Sequence, residues 1–225
     1  MTSEQPLLPS KRSATRSLLA AVIIIALVAG VVIGREYLAR TRPRTHFHTA
    51  IPKICAELSQ QRQLLQKAIE AYKAKLGFYP PDNVISRQPL VVDAVTNPLL
   101  YELLGTWHEP GADTFTPARF PAMHRSLIKS FFNTDGFKNS AAKPDEVQHF
   151  LDAADIEATV AVSSKPDVGL LGYYPNWEGI EPDIYSLIGL SPWRYNSSAP
   201  VHNAGSFDLW IEIETSQTNI LIGNW

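Results

Sequence analysis

The sequence predicts an α+β protein: a helix laid on a small antiparallel sheet, carried behind a membrane helix. Three patterns predict it. Residues 17–34 form one uncharged apolar run, Ile54 to Leu76 repeats apolar residues at helical spacing, and Phe207 to Ile213 alternates them at strand spacing.

The chain begins with residues 1–16, rich in Ser, Thr, Pro and Lys/Arg, which read as a short disordered tail. The apolar run that follows, SLLAAVIIIALVAGVVIG, has eighteen residues. As a helix it is about 27 Å long, close to a hydrocarbon core of roughly 30 Å. Arg16 and Arg35 at its ends can snorkel to the two interfaces, so 17–34 reads as a single-pass helix in contact with lipid. The rival is a cleaved signal peptide. Against it, the apolar part exceeds the usual ~7 to 15 residues and runs into REYLARTRPR instead of a small-residue cleavage site. Lys11, Arg12 and Arg16 precede the run and Arg35, Arg40, Arg42 and Arg44 follow it, so charge alone does not orient it.

Residues 35–52 read as a juxtamembrane segment interrupted by Pro43 and Pro52, with Pro52 in the place of a first-turn proline. Beyond it Ile54, Leu58, Leu65, Ile69, Tyr72 and Leu76 fall on one stripe, while Glu57, Gln61, Lys67, Glu70 and Lys73 occupy other faces. Gly77 suits the residue after the helix, and GFYPPDN forbids its continuation. Downstream, Asn97–Leu104 predicts a short capped helix, 105–121 a loop, His124–Phe132 a helix, and Lys143–Asp155 a helix with Asp145 as a cap. ATVAV after Glu157 has a strand pattern, and 167–182 is turn-rich. At the end, Phe207, Leu209, Ile211 and Ile213 alternate with Asp208, Trp210, Glu212 and Glu214. Ile220–Ile222 is a second strand, so the chain closes on a hairpin with Trp193, Trp210 and Trp225 as core candidates.

Composition narrows function by exclusion. Twenty basic and 22 acidic residues nearly cancel, which removes the global positive field of a nucleic-acid binder. One cysteine, Cys55, excludes an intramolecular disulfide. There is no G-x-S-x-G, no phosphate-binding glycine loop and no zincin helix, and no small-molecule substrate is evident. His46 and His48 could share a strand face and hold a metal, but lack a carboxylate or cysteine nearby and read as a polar linker. His124, His149 and His202 lie too far apart in sequence to define a triad and read as hydrogen-bonded or surface histidines. No catalytic, metal or cofactor residue is assigned.

The order of these elements resembles a known family. AIEAYKAKLGFYPPDN at the end of the long helix, NPLLYELLG, PWRYNSS, SFDLW and the closing IGNW follow the pattern of the pseudopilins of bacterial type II secretion systems, above all the major pseudopilin, within the type IV pilin-like superfamily. The matches are Tyr72, Gly77, Tyr79, Pro80, Pro192, Trp193, Tyr195, Phe207, Asp208, Leu209, Gly223, Asn224 and Trp225, covering 54–104 and 191–225. The segment 105–190 is longer than the family's connection and reads as a helical or loop insertion in a pseudopilin-like domain spanning 53–225. The resemblance implies a cytoplasmic N-terminus, a periplasmic body anchored in the inner membrane, and a structural role among other secretion or pilus-like subunits. It implies Asp208 as a structural hydrogen-bond acceptor. Two family features are missing. The family's processing signal places a Glu in the membrane helix, and none lies between Arg16 and Arg35. The calcium loop is reduced to ETSQTN, where Glu214 is the one charged candidate, so no calcium is expected. The alternative to assembly is a membrane-tethered binding domain that uses the same fold outside any filament, and a weaker third reading is an anchored hydrolase.

Overall fold

The computed structural model describes residues 45–118, 120–152, 160–162, 168–173, 191–214 and 219–225, with side chains from Ile51 onward except those of 160–162 and Glu214. The chain divides into two compact units, Met1–His48 and Thr49–Trp225, and every strand among the described residues lies in the second. The proposed tail 1–16 and membrane helix 17–34 lie outside the described residues. Among the described residues no helix is long and apolar enough to cross a membrane.

Helix α1 runs from Thr45 to Leu76. Its predicted stripe is its buried face: Leu58, Leu65, Ile69 and Tyr72 have no exposed surface and Ile54 is nearly as buried. Each such side chain contributes about 1.5 to 3 kcal/mol by leaving water. The helix ends at Gly77, whose φ of 87° favours glycine and whose N–H donates to Lys73 O at 2.8 Å. The predicted start is corrected: Pro52 lies inside the helix, which begins seven residues earlier. Proline there removes one i→i−4 bond without preventing the turn before it.

The stripe packs on a five-stranded antiparallel sheet ordered β11-β10-β9-β8-β7, an up-and-down meander. Its strands are β7 (Val160–Val162), β8 (Gly169–Tyr173), β9 (Ser191–Asn196), β10 (Asp208–Glu214) and β11 (Asn219–Gly223). The predicted hairpin is present, with Ile211 opposite Ile222 and Ile213 opposite Ile220. Phe207, Leu209, Ile211 and Ile213 are all buried in one cluster with Leu58, Leu65, Ile69 and Tyr72. Polar bonds tie the same two layers: Arg62 Nη1 donates to Gly223 O at 2.6 Å, Trp193 Nε1 to Gln61 Oε1 at 3.4 Å, and Tyr173 OH to Glu57 Oε2 at 2.5 Å.

Two further layers complete the unit. After α1, β1 (Asn83–Arg87) and β2 (Leu90–Asp93) pair as a bulged hairpin, and α2 (Leu99–Leu104) follows with every residue buried. Asn97 Oδ1 accepts from Leu99 N–H at 3.2 Å at its start. The segment read as loop from 105 to 121 is instead strand-bearing: β3 (Thr106–Glu109) and β4 (Thr114–Pro117) form an antiparallel pair. With β5 (Met123–His124) and β6 (Ser140–Ala141) they make a four-stranded sheet in the order β5-β4-β3-β6. Helix α3 (Arg125–Phe132) is as predicted, with His124 as its cap and Asn133 left-handed at its end.

The predicted helix from Lys143 is also corrected. One 3₁₀ turn, Pro144–Glu146, gives way to extended chain in which Phe150 and Leu151 N–H both donate to Leu103 O. Docking onto α2 takes the bonds that a helix would have used internally.

Candidate functional site: the C-terminal clamp and the buried carboxylates

A densely bonded polar region surrounds the loop 197–207 that joins β9 to β10. Asp82, from the YPPD turn after α1, holds its start. Its Oδ2 accepts from Ser197 and Ser198 N–H at 2.8 and 2.7 Å, and its Oδ1 accepts from Ser198 Oγ at 2.6 Å. Asp208 holds its end. Oδ2 accepts from Val201 and His202 N–H at 2.6 and 3.0 Å, and Oδ1 from Asn203 N–H and Nδ2 at 2.9 and 3.1 Å. Three successive backbone N–H groups thus form a concave anion nest around one carboxylate. Burial pushes the Asp208 carboxyl upward, but the N–H bonds from His202, Val201 and Asn203 outweigh it and leave it below the usual carboxylate range. A carboxylate has about four lone-pair sites, and here four donors fill them. Asp208 is therefore a structural acceptor, and its donor set does not fit a calcium ligand, which must offer free oxygens. The Glu214 side chain and residues 215–218 of the shortened loop lie outside the described residues.

The closing IGNW locks onto this loop. Asn224 Oδ1 accepts from Leu209 N–H and from Asn203 Nδ2, and Asn224 Nδ2 donates to Phe207 O at 2.9 Å. Trp225 stacks on His202 with ring centroids 3.9 Å apart and meets Trp210 edge-on at 5.9 Å. Of the three predicted core tryptophans, Trp193 is buried and Trp210 half-buried, whereas Trp225 is exposed.

A second buried centre was not anticipated from sequence. Glu102 in α2 is 1 % exposed, and its carboxylate accepts from Tyr72 OH at 2.8 Å and from Lys138 and Asn139 N–H at 2.8 and 2.9 Å. Asn139 Nδ2 returns bonds to Glu102 O and Gln148 O. One residue thus links α1, α2 and the chain entering β6. Burial pushes the Glu102 carboxyl up, the backbone N–H bonds oppose this, and the net direction is upward. Burial and the neighbouring Glu102 push the Tyr72 phenol up as well. A clue existed: a six-residue helix whose other members are Leu and Tyr has no solvent face for its Glu.

The histidines separate into different duties. His46 and His48 lie in the backbone of helix α1, so the strand proposed for them is not there. His124 Nδ1 accepts from Ser126 N–H as the cap of α3, His149 Nδ1 donates to Leu104 O at 2.6 Å, and His202 carries Trp225. A cluster that sequence reading missed joins the remaining one. Arg125 donates to Asp113 Oδ1 at 2.8 Å and to His108 Nε2 at 3.1 Å, and His108 stacks on Phe115. The Arg125 bond holds the Asp113 carboxyl below its ordinary range. Among the described residues no three His, Cys, Asp or Glu side chains are grouped to hold a metal. No family model matches the chain, and neither a curated protein nor a solved structure matches it.

Proposed function

We propose that this chain is a non-enzymatic, pseudopilin-like structural or assembly component of a type II secretion or type IV pilus-like machine. In this reading residues 17–34 anchor it once in the bacterial inner membrane, and the body from residue 53 stands in the periplasm. The observation that carries it is the burial of the Ile54–Tyr72 stripe in one cluster with Phe207, Leu209, Ile211 and Ile213. An amphipathic helix packed on a small antiparallel sheet is what the resemblance implies for such a subunit, and the Arg62–Gly223 bond adds a polar tie between those two layers. The buried carboxylates support the same reading, since Asp82, Asp208 and Glu102 spend their lone pairs on holding loops. The test is crosslinking in membranes followed by affinity recovery of the chain. Secretion or pilus-like subunits in the product support the proposal, and their absence when the chain itself is recovered counts against it.

One observation favours a second reading, a tethered binding domain outside any filament: the apolar run lacks the Glu that the family's processing signal requires. Mass spectrometry of the mature N-terminus separates the two. A chain trimmed beside the apolar run and N-methylated belongs to a filament, and an intact Met1 belongs to a tether.

A further inference from the structure

Among the described residues strand β11 is an edge of the five-stranded sheet, and the direction of its polar groups follows from its bonds. Asn224 bonds both the N–H and the C=O of Leu209, so Leu209 turns its polar groups toward β11. By the two-residue period Ile211 and Ile213 do likewise, toward Ile222 and Ile220. Asn219, Leu221 and Gly223 therefore turn their N–H and C=O outward. Arg62 takes one lone pair of Gly223 O and leaves the second.

Proteins blunt such edges with lysine, proline, inward charge or a bulge. β11 has none of these: NILIG is uncharged, holds five consecutive register pairs, and presents Leu221 at 55 % exposure. It is also self-complementary. Antiparallel pairing about a two-fold axis at Leu221 sets Leu221 against its own copy and Asn219 against Gly223, over which the Trp225 ring lies. The half-buried Ile222 is then covered by the second copy's Ile220, which continues the helix-side apolar layer across the junction. Glu212 on β10, the registered partner of Leu221, is paired with Arg194 at 2.9 Å.

We propose that β11 pairs with β11 of a second copy of this chain, in antiparallel two-fold register centred on Leu221. A five-residue edge buries far less than the roughly 1,600 Å² of a standard interface, so the contact is weak between free molecules. It rests on the anchored reading above, since two copies held in one membrane meet at a high effective concentration.

Cysteine crosslinking of the full chain in its own membranes tests the register. In a Cys55→Ala background, Leu221→Cys is compared with Asn219→Cys and Val201→Cys, all at exposed positions. Paired Leu221 residues lie about 5.5 Å apart, within disulfide reach, whereas the two Asn219 residues are separated by about 13 Å. Val201, 81 % exposed in the loop, lies off the edge. Oxidation is expected to yield roughly tenfold more dimer from Leu221→Cys than from either control, as only that pair is within bridging range. Equal yields at all three positions, no dimer at Leu221, or an adduct of Leu221→Cys with a different protein overturns the pairing. Fractionation of the same cells separates the two claims. Chain in the membrane without the Leu221 dimer refutes the pairing alone, and chain outside the membrane refutes the anchor and the pairing with it.

Discussion

Asn224 and Leu209 are bonded twice: Asn224 Oδ1 accepts from Leu209 N–H at 2.9 Å, and Asn224 N–H donates to Leu209 O at 3.1 Å. The penultimate residue thus closes the beginning of β10 as a strand partner would, while its Nδ2 also bonds Phe207 O. Replacing it by alanine leaves Leu209 N–H and Phe207 O without those partners beside a buried core. Asn224→Ala is expected to lower unfolding free energy by about 1 to 3 kcal/mol in urea titration, with the m-value unchanged.

Gly223 carries a different constraint. A Cβ there would stand 2.8 Å from three atoms of the Trp225 ring, a distance real contacts do not reach. Gly223→Ala therefore displaces Trp225 from its stack on His202. Since that ring is partly exposed, the expected cost is only about 1 kcal/mol, near the value of one aromatic pair. The near-UV circular dichroism of the tryptophans should change more than the stability does.

The two buried carboxylates give opposite pH dependences. Asp208 has its folded pKa depressed, so its contribution is fully present above the ordinary Asp value of about 3.9 and is lost as pH falls through its folded value. Glu102 has its folded pKa raised, so the fold favours its proton, and stability declines as pH rises from the ordinary Glu value of about 4.3 toward the folded value. Urea midpoints measured across the acid range should lose the low-pH decline in Asp208→Asn and the opposite slope in Glu102→Gln. An unchanged profile in either variant contradicts the corresponding assignment.

Glu102→Gln should also destabilise the protein at neutral pH. A glutamine offers one acceptor oxygen where Tyr72 OH and the Lys138 and Asn139 N–H groups now converge on two, and its NH₂ opposes a donor. The expected cost is about 1 to 3 kcal/mol, the scale of a buried donor left without its acceptor. Tyr72→Phe removes a single donor and should cost about 1 kcal/mol. The ratio of the two, read by thermal or urea unfolding, checks the role of Glu102 as the junction of α1, α2 and the chain entering β6.

The sequence made the long-period features legible. Ile54 to Tyr72 and Phe207 to Ile213 bury the faces that their spacing names, because a helix or strand many residues long repeats its own pattern. Shorter pieces were hidden. Thr106–Glu109 and Thr114–Pro117 are four residues each and rich in polar side chains, so nothing local distinguishes them from a loop. The run after Lys143 has helical composition, yet Phe150 and Leu151 dock their N–H groups on Leu103 and tertiary bonding overrides propensity. Asp208 was legible as an acceptor through the family resemblance, whereas Glu102 was not, since a lone glutamate ordinarily marks a solvated face.

The central claim is that α1 and the terminal hairpin form one cooperative body. Native-state amide exchange addresses it most directly, by comparing Leu65 to Tyr72 in α1 with Leu209 to Ile213 in β10. If the buried stripe and the strand share one core, both sets open with the free energy of global unfolding, and Arg62→Ala lowers protection chiefly near Asn224. Opening of β10 at a distinctly lower free energy, while α1 stays protected on its buried face, would contradict the account.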